Sequence, residues 1–292
     1  MKGLLVVNGF INNNIGVRFN NLYEMLIEAF KEFNTELIIK KNSDLLISIN
    51  YNNLDHYDFV LFWDKDIKLA NHLENLGYKL FNSAKAIEVC DDKAKTYLAL
   101  ENKGIKMPKT IIPPFTFSNN PYNNYDFLDE VIKKLGLPLV MKECFGSFGE
   151  QVYLVKSKEE IIDIIKRIFP KEFLFQEFIS SSFGKDIRVE VVNGKALGAV
   201  MRIQDNGDFR SNVLQGGRMV KTTPDESYLR VAEKAIIETG CSFGGVDILI
   251  GENNEPILCE VNSNVHFKTF YTITGINLAK EIAKFVIGEI NK

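Results

Sequence analysis

The chain has 292 residues, 46% hydrophobic and 25% charged, the proportions of a water-soluble globular protein with room for two or three compact units. With 35 basic against 38 acidic residues and a formal net charge of −3, it has no global positive field, which excludes nucleic acid and anionic membrane as general partners. The apolar run in "MKGLLVVNGF" is too short for a signal-peptide core and no stretch approaches the ~20 residues of a membrane span, so a cytoplasmic location is expected.

In chain order, "GLLVVNG" reads as a short buried strand, and "IGVRFNNLYEMLIEAFKEF" places apolar residues at helical spacing. "TELIIK", "YDFVLFW" and "YKLFN" come next as strands, with the helix "DKDIKLANHLENLG" between the last two. Strands alternating with helices predict a small parallel α/β unit over 1–88. A helix "DDKAKTYLALENKG", capped by Asp91 or Asp92 and stopped by Gly104, opens a second unit over 89–171. Within it, prolines and the Asn-rich "FSNNPYNNYDF" mark a loop. The helix "FLDEVIKKLG", the strands "LPLVMKE" and "QVYLV" about the turn "CFGSFGE", and the helix "SKEEIIDIIKRIF" complete it.

From 172 to 292 longer strands joined by hairpin turns predict an antiparallel α+β unit: "FLFQEF", "DIRVEVV", "ALGAVMRI", the loop "QDNGDFRSNVLQGGR", a helix over 225–239, two strands joined by "ENNE", and a last helix "GINLAKEIAKFVIGEI". Four scattered cysteines without a C-x-x-C pair read as reduced thiols, and the three histidines lack zinc spacing.

The chemistry concentrates in the third unit. Asp247 interrupts the apolar strand "VDILI", and Glu260 and Asn262 stand two apart in the next, "LCEVN". Buried carboxylates need compensation, and a hairpin through "ENNE" brings these oxygens together as ligands suited to Mg²⁺, which is commonly held by one or two carboxylates with phosphate oxygens and water. An ion pair with a nearby lysine or arginine is the alternative. Arg188, Arg202 and Arg210, with "GDFRSN" and "QGGR", add forked donors for phosphate or carboxylate. "FGSFGE" is a Gly-containing turn able to close over phosphates, with Lys142 on the preceding strand; it reads equally as a plain β-turn, and neither G-x-x-x-x-G-K-[ST] nor G-x-G-x-x-G occurs.

Taken in order, "DDKAKTYLALENKGIKMPKT", "LPLVMKE", "FGSFGEQVYLV", "FLFQEFI", "GKDIRVEVVNGKALGAVMRIQDNGDFRSNVLQGG", "GGVDILI", "CEVN" and "TGINLAKEI" resemble the RimK-type branch of the ATP-grasp carboxylate-amine ligases, from about residue 91 to the C-terminus. The resemblance implies an ATP-grasp fold, α/β and α+β, with the first unit as the parallel α/β domain that precedes the grasp. It implies that Lys93 and Lys142 hold ATP phosphates, that Gly146, Ser147 and Gly149 belong to the loop covering them, and that Gln176, Glu177, Phe178 and Ile179 form the linker whose backbone meets adenine. Asp186 matches a nucleotide contact, as does Asn212 more loosely. Asp247, Glu260 and Asn262 match ligands of Mg²⁺, for which Mn²⁺ can substitute. Arg202 and Arg210 match positions near the transferred phosphoryl group, and Arg188 a substrate contact.

The reaction implied is ATP-dependent amide formation through an acyl-phosphate, with release of ADP and phosphate and no enzyme nucleophile. Its partners would be a small-molecule or peptide acceptor carboxylate and an amino-acid amine such as L-glutamate. Assembly as a homo-oligomer stays open. One departure bears on the acceptor: "EVN" continues as "SNVHFKTFYTITG", where small residues and a glycine are usual in glutamate-adding members. His266, Phe267, Lys268, Phe270 and Tyr271 are therefore expected either to reshape the acceptor pocket, with His266 or Lys268 meeting a substrate carboxylate, or to be core aromatics beside a solvated lysine. A ligase acting on a ribosomally made peptide and a non-catalytic nucleotide-binding module remain the alternatives.

Overall fold

The computed structural model describes residues 1–11, 13–51, 54–146, 149–211 and 216–292, with side chains described for all of these except 13–18 and 20. The first sheet contains β1 (Lys2–Val7), β2 (Glu36–Lys41), β3 (Phe59–Trp63) and β4 (Leu80–Phe81), all parallel, in the order β2-β1-β3-β4. It is buried on both faces, so its strands read as continuous apolar runs. Leu5, Val7, Phe59, Leu61 and Trp63 face α1 (Asn13–Lys31), whereas Leu4, Val6, Val60 and Phe62 face α2 (Ile67–Asn75) and α3 (Ala84–Asp91). The helix α3 goes beyond the sequence reading: Ser83 caps it by accepting from Ala86 N–H, and it ends at Asp91. Asp92 then caps α4 (Lys93–Leu100), accepting from Ala94 and Lys95 N–H, so each aspartate of the pair has its own task.

The central sheet is antiparallel, β5-β8-β6-β7, from β5 (Thr110–Ile111), β6 (Leu139–Glu143), β7 (Val152–Val155) and β8 (Phe173–Glu177). Its outer face packs on α5 (Phe127–Leu135) and α6 (Lys158–Ile168). "FLFQE", read from sequence as the opening of the third unit, hydrogen-bonds instead to β6, because Phe173 and Phe175 complete the apolar face under α5 and α6.

The third sheet runs β11-β10-β9-β12-β13, from β9 (Lys185–Val192), β10 (Lys195–Ile203), β11 (Arg218–Thr222), β12 (Phe243–Ile250) and β13 (Pro256–Asn262), all antiparallel. Strand periodicity divides its residues: Ile187, Val189, Val191, Val246 and Ile248 pack under α7 (Glu226–Thr239), while Asp186, Arg188, Glu190 and Asp247 lie on the opposite face. β11 begins at the last residue of the loop expected over 204–218. The chain closes with α8 (Lys268–Thr274), which was not expected, and α9 (Leu278–Ile290), which packs on α1 and completes the core of the first unit. Among the described residues no helix is long and apolar enough to cross a membrane.

Candidate active site

A cavity of about 540 Å³ is lined by residues of all three sheets. The third sheet supplies its floor by cross-strand register. Asp186 on β9 stands opposite Arg202 on β10; Arg188 stands opposite Asp247 on β12, which in turn stands opposite Glu260 on β13; Gly245 stands opposite both Glu190 and Asn262. A β-bulge explains why Cys259 also reaches the cavity: the register jumps from Asp247↔Glu260 to Ile248↔Leu258, leaving Cys259 as the extra residue. Its Sγ lies 3.6 Å from Lys142 Nζ.

The floor is a buried charge network. Asp247 Oδ1 accepts from Arg188 Nε at 2.6 Å and its Oδ2 from Arg188 Nη2 at 2.8 Å, while Arg202 Nη2 stands 2.9 Å from Oδ2. Arg202 also donates from Nε to Asp186 Oδ1 at 2.7 Å and from Nη2 to Asp186 Oδ2. Burial alone would raise the Asp247 carboxyl, but Arg188 and Arg202 outweigh it and hold it down at about 2. Burial dominates at Glu190, which is pushed up to about 7, and its Oε2 has no partner among the described residues. Gly245 makes room for that carboxylate, since a Cβ there would stand 3.0 Å from Glu190 Oε2.

Lys93 opens α4, and its Nζ donates to Gly146 O at 3.2 Å and lies 3.5 Å from Glu260 Oε1. Arg210 is held by Asp208 and donates from Nη1 to Gly149 O at 2.7 Å. The β6–β7 turn is thus tied at both ends by cations of the opposite wall. Gly146 has φ 153, and a Cβ would meet Gln151 Oε1 at 2.4 Å, which accounts for glycine there. On the side of the central sheet, Gln176 donates to Thr110 Oγ1 at 2.9 Å and Glu177 accepts from Lys109 N–H at 2.8 Å. β8 stops pairing at Glu177, so Phe178 and Ile179 lie beyond the ladder, with Phe178 edge-on to Phe183 and Phe209.

Of the residues singled out from sequence, the cavity gathers Lys93, Lys142, Gly146, Gly149, Gln176, Glu177, Phe178, Ile179, Asp186, Arg188, Arg202, Arg210, Asp247, Glu260, Asn262 and His266. Ser147 and Asn212 lie outside the described residues. Lys268 does not line the cavity: it is the exposed first residue of α8, whose buried face is set by Phe270 and the preceding Phe267. Phe267 joins the core shared with α1 and α9, and Tyr271 is exposed. The His266 and Phe19 rings stand nearly perpendicular, with centroids 5.5 Å apart.

The sequence reading missed the wall contributed by the first unit: Asn8, Phe19, Tyr23, Trp63, Asp64 and Lys65. The available signal was the charged "DKD" directly after an apolar parallel strand, where open α/β sheets present their ligand-facing residues.

The model of the RimK-like ATP-grasp domain family matches residues 90–286. N-acetylaspartylglutamate synthase A of Homo sapiens is 32% identical over 225 residues, 77% of this chain and 56% of that protein, so the chain spans little more than half the length of that relative. A probable alpha-L-glutamate ligase of Legionella pneumophila is 35% identical over 220 residues, 75% of this chain and 70% of that protein. Among solved structures, a RimK domain ATP-grasp protein of Sphaerobacter thermophilus superposes with a TM-score of 0.73 at 19% identity, covering 98% of this chain and 99% of that one, a likeness of fold.

Proposed function

The chain belongs to the RimK-like ATP-grasp domain family, and on that premise we propose that it is an ATP-dependent carboxylate-amine ligase that forms an amide through an acyl-phosphate. The observation that carries this reading is the convergence of two lysines, Lys93 and Lys142, with the Asp247–Glu260–Asn262 oxygen set in one cavity walled by all three sheets.

Lys93 and Lys142 would hold the phosphates of ATP, replacing the Lys93 bond to Gly146 O and the Lys142 contact with Cys259. Phe178 and Ile179, beyond the last ladder bond of β8, would offer backbone to adenine. The donor set fits Mg²⁺, with Mn²⁺ as a substitute: Glu260 and Asn262 provide hard oxygens, and Asp247 provides a carboxylate kept ionised by its arginines. Held by these residues, such a cation would neutralise charge developing on the transferring group. For Asp247 to join it, Arg188 must release part of its two-point bond.

A substrate carboxylate oxygen attacks the γ-phosphorus, the bond to the β,γ-bridging oxygen breaks, and ADP leaves. The amine then attacks the acyl carbon, the carbon–oxygen bond to phosphate breaks, and the amine proton passes to phosphate or solvent. Arg210, turning from Gly149 O, would stabilise the transferring phosphoryl group, and Arg202 would act as the clamp that fixes Asp186 and Asp247. The β6–β7 turn, tied by Lys93 and Arg210, would exclude water. L-Glutamate is the amine proposed, on the names of the relatives.

The test is Mg²⁺-dependent release of ADP and phosphate from ATP, screened over pairs of acids and amines. Release should require a matched pair and fall roughly 100-fold or more in Glu260→Gln. Formation of AMP and pyrophosphate would overturn the acyl-phosphate route.

A further inference from the structure

In the order β2-β1-β3-β4 the sheet grows to opposite sides of β1, so β1 and β3 flank a topological switch point. The crevice beyond the carboxyl ends of two such strands is where open α/β sheets take their ligands. Asn8 comes directly after β1 and Asp64 directly after β3, and both line the cavity. They are bonded to each other: Asn8 Nδ2 donates to Asp64 Oδ1 at 3.0 Å, and the same oxygen accepts from Lys65 N–H at 2.7 Å. Asn264, just past β13 and so beside the proposed cation strand, donates from Nδ2 to the Asp64 carbonyl at 2.9 Å.

These bonds leave two acceptors over. Asp64 Oδ2 and Asn264 Oδ1 are buried without a hydrogen-bond partner among the described residues, and Trp63 Nε1, one residue before Asp64, is a buried donor in the same condition. All three residues line the cavity. Buried polar groups in folded proteins are otherwise almost always satisfied. A carboxylate and an amide oxygen in the wall of one cavity call for a cationic group with several donors, and the indole N–H of the residue before that carboxylate calls for an oxygen on the same molecule.

We propose that Asp64 and Asn264 form a subsite for the primary ammonium group of an amino-acid substrate, with Trp63 Nε1 donating to an oxygen of that substrate. The ligase reading enters only in taking the ligand for a substrate. Two sources share this chemistry: the amine whose nitrogen enters the amide, and a spectator amino group on the carboxylate partner.

Trp63 is the chain's only tryptophan, so its emission reports occupancy without turnover. L-Glutamate, L-alanine and glycylglycine are titrated into the full chain, each beside its N-acetyl counterpart, with and without a non-hydrolysable ATP analogue. At least one free amine should give a saturable change, binding about tenfold or more tightly than its N-acetyl form. Asp64→Asn should weaken the free amine by a similar factor and leave affinity for the ATP analogue unchanged.

Equal binding of N-acetyl forms, no saturable response to any free amine, or indifference to Asp64→Asn would overturn the subsite. The first two comparisons use the wild-type chain and do not depend on the variant folding. Incorporation of ¹⁵N from the bound amine into the amide identifies it as nucleophile, and recovery of the label as a free amino group identifies a spectator; either supports the subsite. Saturable binding without ATP turnover by any pair keeps the subsite and sinks the ligase reading. Turnover of a pair whose KM values ignore Asp64→Asn does the reverse.

Discussion

Arg202 and Glu190 show how a buried site is balanced residue by residue. Arg202 compensates both Asp186 and Asp247, and all three are buried. Arg202→Leu should cost about 3–5 kcal/mol, because it strands buried carboxylates; the urea midpoint should drop with little change of slope. Glu190 carries the opposite sign. Its folded value of about 7 lies above the ordinary 4.5, so the fold prefers the protonated acid. The stability this confers is complete below about pH 4.5 and is lost as pH rises through 7, a swing of about 3 kcal/mol. Glu190→Gln should therefore gain on the wild type by that order between pH 4.5 and pH 8, and urea midpoints at the two values check it.

Among the elements, the short β4 is anchored through Asn82, the residue directly after it. Asn82 is fully buried and makes four bonds across the fold: its Nδ2 donates to Phe243 O and Ser263 O at 3.0 and 3.1 Å, and its Oδ1 accepts from Ser242 and Phe243 N–H at 2.6 and 3.2 Å. These bonds fasten the first sheet to the entry of β12 and the exit of β13, the strands that carry Asp247 and Glu260. Asn82→Ala leaves several buried backbone groups unpaired and should destabilise by about 3 kcal/mol or more. The same substitution should raise KM for substrates by loosening the seam beside Asp64, which steady-state kinetics on the folded fraction would read.

At the scale of the molecule, the units do not keep separate cores. Trp63 stacks on Phe243 with ring centroids 5.4 Å apart, and Phe267, Leu278, Ile282 and Val286 from the third unit share one core with α1 and the first sheet. The first and third units should accordingly unfold in a single calorimetric transition. Removing residues 278–292 should expose the face of α1 and the sheet, giving a chain that binds a hydrophobic dye and is cut rapidly by protease.

Much of this was legible along the chain, because strand and helix periods are local. The apolar runs of β1 and β3, the polar alternation of "DIRVEVV" and the cap before α4 are set by neighbours a few residues away. The oxygen set of Asp247, Glu260 and Asn262 could be read because a short hairpin joins its strands. Tertiary structure alone decided the remainder. It assigned "FLFQE" to the central sheet, folded "KTFYTIT" into a helix that turns Lys268 outward, and inserted Cys259 as a bulge. It also brought Asn8, Asp64 and Asn264 together from separations of 56 and 200 residues. Contacts of that span leave no periodic trace, since they depend on which sheet faces which and on where buried polar atoms find, or lack, a partner.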